Sequence, residues 1–152
     1  MKINRKDRIT DQDEAIREVE VIYKDLAERP IDRDCTLLTE CCQFKRTGIV
    51  PFLTKGEALL AAKAVRAAGH KMLPKSVDGA CPMLHARNGK CMIYKSRPFG
   101  CRTHFCQAAG GPYTRAEVLD LIRRLEVLDT KLLGHGPVNL PVAVTAALAE
   151  FR

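Results

Sequence analysis

Seven cysteines carry most of the chemistry this sequence can do: Cys35, Cys41, Cys42, Cys81, Cys91, Cys101 and Cys106. Thiolates are soft ligands that suit zinc and iron–sulfur clusters. An odd number of cysteines cannot pair completely into disulfides. The opening MKINRKDRIT lacks the apolar stretch of a secretory signal. No apolar run reaches the roughly 18 residues of a membrane span. These features predict a cytoplasmic protein, in a compartment that keeps thiols reduced, where clustered cysteines bind metal or do redox chemistry. A single cysteine is often only a small buried hydrophobe. Seven of them within residues 35–106 favour a metal.

Zinc knuckles present pairs spaced Cys-x₂₋₄-Cys. Only Cys101 and Cys106 have that spacing among the later cysteines. The ligands must therefore arrive singly from separate loops. Adjacent Cys41 and Cys42 cannot easily share one tetrahedral ion; one ligates while the other packs, or they serve two metals. His104 is a candidate extra ligand beside Cys106. His70, His85 and His135 read as packing or surface residues, His135 beside the C-terminal dipole of a helix. Arg97 and Arg102 flank Cys101 and are expected to donate hydrogen bonds to thiolate or sulfide sulfur, which stabilises charge and tunes a cluster. Tyr94 offers a ring as a lid and a hydroxyl as a polar handle. Pro98 and Gly100 allow a tight turn toward a metal.

The strings around these residues are Cys81-Pro-Met-Leu, Cys91-Met-Ile-Tyr94, Arg97-Pro98 and Cys101-Arg102. They resemble the YkgJ-type cysteine-cluster family of zinc- or iron-chelating proteins, whose later motifs are Cys-Pro-x-Leu, Cys-x-Ile-Tyr-x-x-Arg-Pro and Cys-Arg. Leu53-Thr54-Lys-Gly-Glu57 is similar to the family's Leu-Thr-x-x-Glu helix start. The family's early Cys-x-x-Cys-x-x-Cys-Cys reads Cys35-Thr-Leu-Leu38-Thr-Glu-Cys41-Cys42 here. Leu38 stands at the second cysteine position. Either that position is not an essential ligand, or Cys106 or His104 replaces it. The resemblance spans about residues 35–106. Some members of the wider family are fused to methyltransferase-like activity, a flagellin lysine methylase among them. No glycine fingerprint for such a cofactor occurs here, so that activity is not carried over.

The elements that must position these ligands are helices. Ala15, Ile16, Val19, Ile22, Tyr23 and Leu26 recur at three- and four-residue steps, predicting a helix from about Asp11 to Ala27. Thr54-x-x-Glu57 is a capping box that opens a second helix, running through alanines to Ala68 and stopping at Gly69. Thr114-x-x-Glu117 opens a third, with Val118, Leu121, Ile122, Leu125, Leu128 and Leu132 as its stripe and Gly134 as its stop. A short fourth follows Pro141. Between the helices periodicity fails, and only Cys91–Tyr94 looks like a strand. Gly110-Gly111-Pro112 reads as a linker turn. The expected fold is mainly α, a small single domain over residues 1–152. Irregular cysteine-rich, metal-bound loops (about 31–113) pack between helices at about 11–28 and 114–133. Aromatics are only 5% of the chain and Trp is absent, so metal–thiolate bonds would help tie the loops down.

The formal charge is +7, with every cysteine counted neutral. Four thiolates around one Zn²⁺ contribute about −2. Lys and Arg are scattered from Lys2 to Arg124 and form no stripe with interleaved aromatics, so charge alone does not specify nucleic acid. The expected function is an iron–sulfur protein with an accessory, electron-transfer or sensor role, partnered by another protein and without a membrane. The alternative is a structural Zn²⁺ module that binds protein or nucleic acid. A stand-alone enzyme is not expected. Catalytic zinc needs an open position and a base; nearby Glu40 reads as a surface charge and Glu57 as a capping residue. No Cys-x-x-Cys redox pair occurs.

Overall fold

A computed structural model describes residues 10–29, 50–76, 79–85, 90–103 and 113–150. The spaced apolar residues of the first segment become the buried face of α1 (Gln12–Ala27), where all six expected side chains are buried. Asp11 caps it, its carboxylate accepting from the Asp13 amide at 2.9 Å. The Thr54-x-x-Glu57 capping box opens α2 (Lys55–Ala67), with Thr54 as N-cap. Gly69 follows at φ +93°, the left-handed conformation expected of a helix stop.

The alanines of α2 leave it slim enough to be surrounded. Gly56, Glu57, Ala58, Leu59, Leu60, Ala61, Ala62 and Val65 are all buried. Helix α2 packs against α1, against α4 (Arg115–Lys131) and against α5 (Leu140–Glu150). At Gly56 the helices approach closely: a Cβ there would lie 2.8 Å from Leu128 and 2.9 Å from Val19. Ladder pairing adds little. Strand β1 (Phe52–Leu53) pairs antiparallel with β2 (Val138–Asn139), Phe52 facing Asn139 and Leu53 facing Val138. Pro141 sits in the first turn of α5, as expected.

The chain described here is mostly helical, as the periodicity predicts. Three details differ from expectation. Helix α4 does not stop on a left-handed glycine; Leu133 takes that conformation, at φ 60°. Gly134 serves another need, since a Cβ there would overlap the Asp129 carboxylate at 2.3 Å. The strand-like Cys91–Tyr94 reduces to one antiparallel bridge between Leu84 and Cys91, after which the chain turns into a short 3₁₀ segment, Tyr94–Ser96. Finally, a five-residue helix, α3 (Phe99–Thr103), stands inside the stretch that shows no periodicity.

Candidate metal centre

Cys81 and Cys91 lie on two segments joined by the antiparallel bridge between Leu84 and Cys91. The Leu84 amide donates to the Cys81 carbonyl at 3.0 Å, closing a tight turn after Cys81-Pro82. The Met92 amide donates to the Met83 carbonyl at 2.9 Å, and the His85 amide to the Lys90 carbonyl at 2.7 Å. Met83, Ile93 and Cys81 anchor this unit in the hydrophobic core. Cys91 is half-buried and lines a groove of about 520 Å³, between Leu60, Ala64 and Ala67 of α2 and the Met92–Ser96 segment.

Cys101 lies in α3, and here the placement rests on a buried carboxylate. Glu57 is 3% exposed. Its Oε2 accepts from the Thr54 amide at 2.9 Å and the Thr54 hydroxyl at 3.1 Å. Its Oε1 accepts from the Tyr23 hydroxyl at 2.9 Å and from the Phe99 amide at 2.8 Å. One carboxylate thus joins α1, the start of α2 and the start of α3. Burial pushes the Glu57 carboxyl above its ordinary value, while its donors on Thr54, Phe99 and Tyr23 pull the other way. Burial, then the neighbouring Glu57 charge, hold the Tyr23 phenol well above its usual value, so it stays a donor. The capping role expected of Glu57 is present, but spacing could not show the links to Tyr23 and Phe99. The one signal was Tyr23 itself, an apolar-stripe residue whose hydroxyl needs a partner when buried.

Arg102 closes the other side. Its guanidinium lies 4.2 Å from the centroid of the Tyr23 ring. Its Nε donates to the Arg97 carbonyl and its Nη2 to the Lys95 carbonyl, both at 2.7 Å. These bonds hold the loop that leads into α3. Burial lowers the basicity of Arg102, and the adjacent Arg97 charge lowers it further, while Tyr23, Cys101 and Glu57 support it. Arg102 directly follows Cys101 in α3, and its Nε and Nη2 donors go to backbone carbonyls. Arg97 stacks over the Tyr94 ring at 3.9 Å, and its Nε donates to the Tyr94 carbonyl at 3.0 Å. Tyr94 is 39% exposed, its ring in contact with this guanidinium.

Cys35, Cys41, Cys42, Cys106, Leu38, Glu40, His104 and Gly110–Pro112 lie outside the described residues. Among the described residues, Cys81, Cys91 and Cys101 form no disulfide, and no group of three His, Cys, Asp or Glu side chains gathers to hold a metal. His70, His85 and His135 are exposed, His135 just after α4. Arg124 of α4 pairs with Asp25 of α1. No helix among the described residues is long and apolar enough to cross a membrane.

Two thiols at turns, Cys81 and Cys91, and a third in the short helix α3, Cys101, are seated on a helical scaffold, and their donor chemistry suits a soft metal. The chain matches the family model "CxxCxxCC: Putative zinc- or iron-chelating domain" over residues 4–118, and it belongs to that family. The family description covers both zinc and iron. No curated protein and no solved structure matches the chain.

Proposed function

We propose that this chain carries an iron–sulfur cluster and serves as an accessory, electron-transfer or sensor protein for a protein partner. The cluster would draw its ligands from Cys81, Cys91 and Cys101 together with Cys35, Cys41, Cys42 and Cys106. The observation that carries this reading is the setting of Cys101 in α3, two residues after the Phe99 amide that Glu57 holds and directly before the cationic Arg102. Cationic groups beside a thiolate stabilise its charge and raise the potential of a bound cluster. Seven thiols also exceed the four that one zinc ion takes. When bound, the cluster supplies a site for reversible one-electron change. The protein's own part is to fix the cysteine turns, and to leave Cys91 beside an open groove where a partner can approach.

The test is anaerobic purification followed by elemental analysis, acid-labile sulfide assay and a visible spectrum on one sample. Iron with sulfide and a brown colour is the expected result. Stoichiometric zinc without a visible band would replace this reading with a structural zinc module, and absence of both metals would remove the metal centre.

A further inference from the structure

We propose that Glu57 is the positioning residue for Cys101, holding the ligand turn in register with the helical core through Phe99 and Tyr23. The inference deepens the metal-centre reading and rests on Cys101 being a ligand. Phe99 is the first residue of α3, and Cys101 is two residues further on. With its amide fixed on Glu57 Oε1, the start of α3 has one orientation against α1 and α2. Arg102, next after Cys101, is held on the Tyr23 ring, and Tyr23 donates to that same oxygen. The chain is therefore tied two residues before and one residue after Cys101, and both ties lead to one carboxylate. Glu57 is already the capping partner of Thr54, a task that exposed helices accomplish at the surface. Burying a carboxylate is costly unless it has work for all its lone pairs. The extra donors from Tyr23 and Phe99 add a link to the Cys101 turn that helix capping alone does not require.

Asp129 provides an internal control. It too is buried, 4% exposed, and it also serves the start of α2, accepting from the Lys55 amide at 2.7 Å. It also accepts from the Gly136 amide, at 3.0 Å. Asp129 thus holds the same helix end without touching the Cys101 turn. Glu57→Gln turns one acceptor oxygen into a donor facing an amide or hydroxyl that already donates. Asp129→Asn does the same at the other site.

The experiment titrates full-length protein with Co²⁺ as a thiolate-sensitive probe, and with Zn²⁺ by chelator competition, alongside thermal melts. Glu57→Gln should weaken metal binding by roughly 10- to 100-fold, the usual effect of removing a group that orients a ligand, and should shift the Co²⁺ thiolate charge-transfer band. Asp129→Asn should lower the melting temperature but leave affinity and band position near wild type. Tyr23→Phe, which keeps the ring under Arg102 and removes only the hydroxyl, should give a smaller shift in the same direction. Should Glu57→Gln not fold, Tyr23→Phe compared with Asp129→Asn decides. Equal loss of affinity in the Glu57 and Asp129 variants would reduce Glu57 to a structural role and overturn the proposal, as would an unchanged Co²⁺ spectrum in both Glu57→Gln and Tyr23→Phe. A Cys101→Ser variant that binds metal as wild type would instead show that Cys101 is no ligand, and would overturn the metal reading of that turn along with this inference.

Discussion

At the scale of single residues, the strongest constraints are placed where backbones or carboxylates come too close for ordinary side chains. Gly134 is one. Its missing Cβ leaves room for the Asp129 carboxylate, which in turn accepts from the Lys55 and Gly136 amides. Gly134→Ala should cost about 1–3 kcal/mol, the range for forcing atoms into a filled site, read as a lower urea midpoint at unchanged slope. An unaltered midpoint would mean that Asp129 can give way without loss. Gly56 is the second such position, between Val19 and Leu128, and Gly56→Ala should destabilise over a similar range of about 1–3 kcal/mol. The sequence offers no reading of the close packing at Gly56 and gives the wrong reason for Gly134. Gly134 follows α4 and invites a left-handed helix stop, yet Leu133 adopts that conformation. The demand on Gly134 comes from a carboxylate one turn back, which local propensity does not encode.

At the scale of elements, helices were legible and their joints were not. Six apolar positions from Ala15 to Leu26 and two Thr-x-x-Glu boxes define α1, α2 and α4 because those signals lie within one or two turns of chain. The two-residue strands are too short to show alternation, and α3 is held by Glu57, 42 residues upstream of Phe99. The candidate site divides in the same way. Its cysteines are visible as residue types, whereas the carboxylate that fixes one of their turns is disguised as an ordinary cap. One joint between helices makes a separable prediction. Arg29, just past α1, donates to the Glu117 carbonyl at 2.8 Å and pairs with Asp120 in the first turns of α4. The bond from Arg29 holds the Asp120 carboxyl below its usual value of 3.8. A carboxyl with a depressed folded value stabilises the fold above its unfolded value, and the contribution is lost as pH falls through the lower folded one. Asp120→Asn should therefore lower the melting temperature slightly near neutral pH, and the difference from wild type should close at pH values below about 3.8. A gap that persists unchanged into strong acid would show that the ion pair is not its source.

At the scale of the whole molecule, the proposed metal and the helical core are coupled, because the cysteine turns are built from core residues. Met83, Ile93 and Phe99 are buried beside the helices, and each stands within two residues of Cys81, Cys91 or Cys101. A metal that binds only the folded chain adds about 2.7 kcal/mol of stability at a concentration 100 times its Kd. Stripping the metal with a chelator should thus lower the melting temperature of the wild type. Cys91→Ser and Cys101→Ser should melt lower at the start and respond less to chelator. Identical melts with and without metal in all three proteins would separate the metal from the fold.

The position of α5 has a consequence for how the molecule is made. Residues 4–118 match the family, but the face of α2 that α5 covers is sealed by Leu140, Ala143, Val144, Ala147 and Leu148, all beyond them. Synthesis runs from the N-terminus. The cysteines and the alanine-rich helix therefore emerge while that face is still wet and adhesive. During this interval α2 presents apolar surface to its surroundings, the situation in which nascent chains recruit chaperones or aggregate. The scaffold that holds the cysteine segments becomes fully sealed only once α5 has been made and docks.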